Sequence, residues 1–194
     1  MKRLFIISAF IIGFHQGVIG QELPQSSFNI NPLGLLQFGP IFQYEGKVGG
    51  QTYLVPYFRY AYAGLVTHAV WTEFDENSEL SPGTFALGLG VKSFAQNEGN
   101  SIYYGAFLDF SRTKVNYSVG FSDETEEIST DLGVVPNFGY RWRSDRKIYF
   151  SLGLYSGLVF TLKDEERYVS DNELFASYSE TTFFAMLEFS IGWE

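Results

Sequence analysis

The chain has 194 residues, a formal net charge of −9 and no cysteine, and 45% of its residues are hydrophobic. This size and composition fit one folded domain and exclude a disordered protein, while the missing cysteine excludes disulfide frameworks, cysteine zinc sites and thiol nucleophiles. Twenty glycines, twenty phenylalanines and thirteen tyrosines favour β-strands, because aromatic side chains pack well on pleated sheets and glycine marks turns or close backbone approach.

The first twenty residues have the layout of a cleaved secretory signal. Met1-Lys2-Arg3 is positively charged, residues 4–14 form an apolar stretch too short to span a bilayer as a helix, and Val18-Ile19-Gly20 is a small-residue exit. We therefore predict a signal peptide over residues 1–20 and one mature domain over residues 21–194. The mature domain loses two basic residues and carries a net charge of −11, which disfavours nucleic acid as a partner.

Apolar residues along the mature chain recur with the period of two that is typical of strands. Seven segments show this alternation: 36–45, 53–60, 85–92, 102–111, 132–142, 148–158 and 182–193. In each segment one face is large and apolar, while the other consists of glycine, small polar residues, tyrosine and single charges. In the third segment, for example, Leu87 and Leu89 alternate with Gly88, Gly90 and Lys92.

This asymmetry between the faces predicts on which side of the sheet the apolar residues lie. A transmembrane barrel turns its apolar face towards lipid and its polar face towards the lumen, over strands of about 9–11 residues. The segments have 8–12 residues, which is close to that length. We therefore predict an all-β fold, an antiparallel up-and-down transmembrane β-barrel. A soluble secreted barrel with its apolar face inside is the alternative.

An even strand number requires an eighth strand. The long stretch 52–72 can be divided at Ala63-Gly64, which makes residues 65–74 the eighth strand and is the division we favour. The rival division keeps 52–72 as one long strand and takes the eighth from residues 26–31 or 173–179. Both divisions give eight strands.

The connections alternate in length, as in outer-membrane barrels with short periplasmic turns and long external loops. Short links at 46–50, 95–100 and 144–147 alternate with long links after Glu73, Tyr117 and Leu162. The long links hold or adjoin fourteen of the 22 acidic residues. Trp142 and Trp193 fall at strand ends on the short-turn side with lipid-facing parity, which predicts an aromatic girdle there.

These patterns resemble the small eight-stranded outer-membrane β-barrel proteins of the OmpA/OmpX-like group, over nearly the whole mature chain. The resemblance implies a monomer in the Gram-negative outer membrane, in contact with outer-membrane lipid and lipopolysaccharide. It also implies that the barrel-assembly machinery reads the last strand, which suits Phe183, Phe189 and Trp193, although the chain ends in Glu194 where an aromatic residue is usual. Because the group includes structural proteins, adhesins, ligand binders and a few enzymes, the resemblance implies little chemistry.

Five charged residues on five strands share the lumenal parity: Arg59, Lys92, Asp109, Arg141 and Glu188. The interior of an eight-stranded barrel is just wide enough for side chains to fill it, so these charges are expected to pair. We hypothesise that Arg59, Asp109 and Glu188 form an ion-pair network, acting as core packing or as a gate for ions. Five tyrosines of the same parity either fill the lumen or line a ligand cavity: Tyr53, Tyr57, Tyr103, Tyr149 and Tyr155.

No motif in the sequence assigns a reaction. The mature chain has one histidine, His68, without a serine beside it, and it has neither a calcium-loop spacing nor a glycine-rich phosphate loop. We therefore expect no catalytic residue, cofactor or metal, and a structural or surface-interaction role. The alternatives are an outer-membrane lipid-modifying enzyme that uses His68, and a narrow channel or small-ligand carrier.

Overall fold

The computed structural model of the protein describes residues 22–36, 39–62, 83–97, 99–117, 125–144, 146–168 and 174–194. These residues contain one five-residue 3₁₀ helix, Pro32–Leu36, and nine β-strands. The strands are β1 Ser26–Asn31, β2 Ile41–Gly49, β3 Thr52–Tyr62, β4 Gly83–Phe94, β5 Ser101–Tyr117, β6 Thr125–Arg143, β7 Ile148–Tyr168, β8 Leu174–Tyr178 and β9 Thr181–Trp193. No helix among the described residues is long and apolar enough to cross a membrane.

Eight of the strands form a closed antiparallel ring. Strands β1 to β7 pair in chain order, β7 pairs with β9, and β9 pairs back to β1 through Phe28 opposite Trp193. Strand β8 stands outside the ring and pairs with the end of β7. The all-β, up-and-down barrel predicted from the alternation is therefore confirmed.

The large apolar face of the strands lies on the outside of the ring. On β4, Leu87 and Leu89 are each 51% exposed, whereas Ala86 and Lys92 on the opposite face have no exposed surface. The same alternation holds along β5, where Tyr104 and Leu108 are exposed and Tyr103 is buried. The alternative of a barrel with an apolar interior does not match this arrangement.

The first predicted strand, 36–45, is wrong in its first half. Residues 32–36 form the 3₁₀ helix and the strand begins at Ile41. The physical reason is the glycine pair Gly34 and Gly39: Gly39 has a φ of 92°, and its N–H donates to the carbonyl oxygen of Gly34 at 2.6 Å. An ideal Cβ on Gly34 would meet that same Gly39 carbonyl group, so this tight turn interrupts the strand.

The eighth strand of the ring is residues 26–31, as in the rival division. The favoured candidate, 65–74, lies outside the described residues, and the ring closes without it because β3 pairs directly with β4. Strand β1 is short, so it pairs with β9 over three residues only, Phe28 to Ile30. Where this pairing stops, the Asn31 side-chain oxygen accepts hydrogen bonds from the N–H groups of Leu33 and Phe189 at 3.1 and 3.4 Å.

The barrel has two distinct ends. At the turn end lie the strand ends that the short links 50–51, 95–100 and 144–147 join, together with Glu22 and Glu194; at the loop end lie the strand ends on either side of residues 63–82, 118–124 and 169–173. The strands that lead to the loop end are longer than predicted, since β6 begins at Thr125 and β7 runs to Tyr168. Several acidic residues expected in loops, such as Glu127 and Asp164, therefore lie in paired strands.

Candidate functional site in the barrel lumen

Four charged side chains fill the half of the lumen nearest the turn end. They are Glu45 on β2, Lys92 on β4, Arg141 on β6 and Glu188 on β9, and each is at most 2% exposed. We call these four residues the buried charge cluster. Because two cations face two carboxylates, the cluster as a whole is neutral.

Glu45 is the centre of the buried charge cluster. Its Oε1 accepts hydrogen bonds from Lys92 Nζ at 3.0 Å and from an Arg141 nitrogen at 2.7 Å. Its Oε2 accepts from a second Arg141 nitrogen at 2.8 Å and from the hydroxyl of Ser27 at 3.0 Å. A bidentate arginine and four hydrogen bonds compensate the desolvation of this carboxylate, which a single contact would not do.

Glu188 completes the buried charge cluster on the opposite side of Lys92, whose ammonium nitrogen lies 3.8 Å from its Oε1. The Tyr103 hydroxyl donates to Glu188 at 2.7 Å, and the Asn137 amide donates at 2.9 Å. Aromatic rings pack against the cations, with Arg141 lying 4.0 Å from the centroid of Tyr149. In this half, side chains from six strands meet in the lumen: β2, β4, β5, β6, β7 and β9.

The five charged residues predicted for the lumen fall into two groups. Lys92, Arg141 and Glu188 belong to the buried charge cluster, whereas Arg59 pairs with Asp109 at 3.4 Å nearer the loop end. The hypothesised network of Arg59, Asp109 and Glu188 is therefore divided between the two groups.

The sequence reasoning missed Glu45, which binds both cations of the cluster. Its lumenal parity, which it shares with Gln43, was the available signal. The predicted first strand ended at Glu45, which made this residue look like a rim position. Since β2 continues to Gly49, Glu45 lies in the middle of the real strand.

A cavity of about 280 Å³ occupies the lumen on the loop side of the buried charge cluster. On every strand that contributes to both, the residue lining the cavity is nearer the loop end: on β3, for example, Tyr57 and Arg59 line the cavity while Tyr53 packs below. The apolar part of the lining consists of Ile41, Phe107, Val135, Val159, Phe184 and Met186. We call this space the lumenal cavity.

The two aspartates that line the lumenal cavity differ in their hydrogen-bond partners. Asp109 accepts hydrogen bonds from the Tyr57 hydroxyl and from Arg59. Asp131 accepts from the hydroxyls of Ser129 and Thr161 at 2.8 and 2.9 Å, and within the described part of the chain no lysine or arginine pairs with it.

The floor of the lumenal cavity contains a buried amide with an unused acceptor. Gln43 is 2% exposed, and its amide nitrogen donates to the Tyr155 hydroxyl at 2.8 Å. Its Oε1 is buried and has no hydrogen-bond partner among the described residues. Burying an amide oxygen without a partner is unfavourable, so a donor that reached this atom would stabilise the floor of the cavity.

Of the five lumenal tyrosines, three fill the turn half of the lumen and two line the lumenal cavity. Tyr53, Tyr103 and Tyr149 fill the turn half and are at most 1% exposed, whereas Tyr57 and Tyr155 line the lumenal cavity. The Tyr103 hydroxyl lies between Gly139 and Gly153 on neighbouring strands, where a Cβ on either glycine would collide with it. Filling of the lumen therefore occurs in the turn half, and a tyrosine-lined cavity occurs in the loop half; that this cavity holds a ligand stays a prediction.

Trp142 and Trp193 both lie near the turn end, on strands that β7 separates. Trp193 is the last residue of β9, is 43% exposed and packs 5.1 Å from the ring of Phe28; Trp142 packs 4.7 Å from the ring of Tyr140. Their role as a membrane girdle stays a prediction.

Above the lumenal cavity, the face of β6 and β7 that carries Asp131 continues as an acidic surface. Glu127 lies opposite Glu166, and Asp164 lies opposite Ser129. Burial and the carboxylates of its neighbours raise the pKa of Glu127, and burial and Asp131 raise the pKa of Asp164. On the outer face, by contrast, a hydrogen bond from Lys163 lowers the pKa of Glu165.

The structure bears on only part of the chemistry considered from sequence. His68 lies outside these residues, and within them no group of three or more histidine, aspartate or glutamate side chains could hold a metal ion. Comparison with known proteins finds no matching family model, no matching curated protein and no matching solved structure.

Proposed function

We propose that the chain is a small, monomeric, integral outer-membrane β-barrel with a structural or surface-interaction role, similar in architecture to the OmpA/OmpX-like group. The observation that carries this proposal is the inverted polarity of a closed ring. Large apolar side chains such as Leu54, Leu108 and Phe138 are 40–61% exposed, while Lys92 and Glu188 are fully buried. An exposed apolar belt of this extent is unfavourable in water and favourable in lipid.

Closure of the ring supports the same proposal. Lipid offers no hydrogen bonds to backbone groups, so a spanning sheet must pair its strands with each other. In our proposal residues 1–20 are the signal peptide, the turn end faces the periplasm and the loop end faces outwards. Outer-membrane lipid and lipopolysaccharide then surround the barrel, and the barrel-assembly machinery inserts it through its last strand.

The test is fractionation of a Gram-negative host that expresses the full chain, followed by gel electrophoresis of boiled and unboiled outer membranes. We expect the protein in the outer-membrane fraction, with a shift in mobility on boiling. A soluble periplasmic protein without that shift would refute the proposal.

The filled turn half supports a barrel that does not conduct ions. Because the buried charge cluster lies across the lumen, neither the wild type nor Arg59→Ala is expected to give more conductance in planar bilayers than a protein-free membrane. Stepwise conductance in the wild type would favour the channel alternative, and its loss or change in Arg59→Ala would favour the gate.

A further inference from the structure

Two acceptor groups at the lumenal cavity lack full compensation among the described residues. Gln43 Oε1 lacks a donor on the floor, and on the wall Asp131 lacks a cation within the described residues. Among the described residues of the lining, the one cationic side chain is that of Arg59, which pairs with Asp109. A ligand that complements this lining must therefore bring donors and positive charge.

The rest of the lining favours an apolar or aromatic body. Phe107, Phe184 and Met186 present two aromatic rings and a thioether, and Val135 and Val159 complete the apolar wall. Aromatic faces attract cations as well as apolar groups, and most small-molecule sites combine an apolar lining with a few placed polar groups. The volume of about 280 Å³ suits a ligand with a single ring rather than a lipid chain.

The residues on the loop side of the lumenal cavity are negatively charged, like Asp131 in its wall. Glu127, Asp164 and Glu166 continue the acidic face of Asp131 towards the loop end. A field of one sign along the approach to a low-dielectric site raises the local concentration of the opposite charge. Cations that approach from the loop end are therefore favoured over anions.

We propose that the lumenal cavity is a binding site for a small organic cation, a primary ammonium group on an apolar or aromatic body. The ammonium group lies at Asp131, and the apolar body packs against Phe107, Phe184 and Met186. This inference depends on the barrel and its lumen but not on the membrane in which the barrel resides, so it can fail while the outer-membrane proposal stands.

The methionines of the chain make the test specific. There are two, Met1 and Met186, and Met186 lines the lumenal cavity. The full chain labelled with ¹³C at the methionine methyl groups is refolded in detergent micelles and titrated with phenethylammonium. Two probes of matched shape are titrated in parallel: neutral 2-phenylethanol and anionic 3-phenylpropanoate.

We expect phenethylammonium to shift the Met186 resonance in a saturable way, with an affinity at least about tenfold above that of either matched probe. Asp131→Asn should lower this affinity about tenfold. Glu126→Gln is the matched control, since it removes the same charge from the outer face, where Glu126 pairs with Lys114, and it should leave the affinity unchanged.

A second variant tests the volume independently of the charge. Val159→Phe fills part of the cavity and should abolish the saturable shift, while the gel mobility shift of the unboiled protein shows that the barrel still forms. The proposal is overturned if phenethylammonium gives no saturable shift, if 2-phenylethanol or 3-phenylpropanoate binds equally well, or if Asp131→Asn and Glu126→Gln bind alike.

Discussion

The two halves of the lumen use the same residue types in opposite ways. In the turn half, Glu45, Lys92 and Arg141 are at most 2% exposed and are joined by hydrogen bonds of 2.7–3.0 Å. In the loop half, Arg59 and Asp109 lie 3.4 Å apart beside a cavity, with side chains 17% and 13% exposed. In this barrel, therefore, charged groups have several close partners where side chains fill the lumen, and fewer and more distant partners where a cavity is left.

Space explains the contrast. A charge surrounded by packed side chains has no water to hydrate it, so it needs several protein partners. A charge beside a cavity can keep water or accept a ligand, so incomplete pairing is tolerated there. The turn half therefore serves as a structural plug, and the loop half is where recognition is possible.

The largest test of this comparison is Glu45→Gln. This change leaves Lys92 and Arg141 buried, with only the carboxylate of Glu188 nearby, so the free energy of unfolding should fall by about 3–5 kcal/mol. Guanidinium unfolding of the barrel in detergent micelles measures the loss. A loss below about 1 kcal/mol would contradict the assignment of Glu45 as the centre of the plug.

Alanine substitutions at two glycines, Gly139 in the turn half and Gly133 in the loop half, compare how tightly the two halves of the lumen are packed. In Gly139→Ala, the new Cβ would meet the Tyr103 hydroxyl and, at 2.5 Å, the carbonyl oxygen of Leu152. Over-packing of this kind should destabilise the barrel by about 1–3 kcal/mol in the same unfolding measurement.

The matched change in the loop half is Gly133→Ala. Its Cβ would approach Asp109 Cβ at 3.1 Å and a Val135 methyl at 3.4 Å, and both neighbours border the lumenal cavity. The Val135 methyl can rotate towards the cavity and Asp109 Cβ has to shift by only a few tenths of an ångström, so we expect a loss below about 1 kcal/mol. Equal losses for the two alanines would mean that the halves are packed alike.

Arg59→Ala tests whether removing a charge in the loop half lowers the free energy of unfolding less than removing one in the turn half. Asp109 keeps the hydrogen bond of the Tyr57 hydroxyl, and both charged groups are partly hydrated. We expect a loss of about 1 kcal/mol. Arg141→Ala, the same substitution in the plug, is the control and should cost several times more. If Arg59→Ala proves as damaging as Arg141→Ala, the distinction between the halves fails.

The parts of this fold that sequence predicts are those in which burial alternates along a strand. The faces of β3, β4 and β5 follow directly from the apolar pattern. The start of β2 does not, because the turn at Gly39 depends on a backbone angle that the apolar pattern of residues 36–45 conceals.

The site was less predictable than the strands. Lumenal parity identifies Lys92, Arg141 and Glu188 as interior residues, but their partner, Glu45, could be recognised only with the correct extent of β2. The lumenal cavity depends on which large side chain lies against which glycine across the lumen, and that requires the barrel's three-dimensional register.

The apolar pattern also did not predict the loop-side ends of β6 and β7, residues 125–130 and 163–168, which pair with each other and which we call the protruding sheet. Both faces of these segments are polar, with Glu126 and Lys163 on one side and Glu127 and Asp164 on the other. Such segments were interpreted as loops, whereas backbone pairing makes them a sheet. The inner face of these segments extends the comparison between the halves. Its carboxylates are compensated by positive charge even less than Asp109, which pairs with Arg59.

The smallest expected effect is the pH dependence of this protruding sheet. The pKa of Glu127 is raised above its ordinary 4.5 and that of Asp164 above its ordinary 3.8, so the folded sheet binds protons more tightly than the unfolded chain does. The stabilisation is therefore complete below the ordinary pKa values and is lost as pH rises through the raised ones. Amide hydrogen exchange of residues 126–130, corrected for intrinsic rates, should show more protection near pH 5 than near pH 7.

A single substitution separates this repulsion from other effects of pH. Asp164→Asn removes one carboxylate from the inner face, so at pH 7 it should stabilise the protruding sheet by a few tenths of a kcal/mol and should reduce the change between pH 5 and pH 7. Glu165→Gln on the outer face is the control with opposite sign, since the pKa of Glu165 is lowered by Lys163 and its carboxylate is favourable when charged. Protection that falls on acidification, or that increases in Glu165→Gln, would show that the two faces of the sheet do not differ in charge compensation as the plug and the lumenal cavity do.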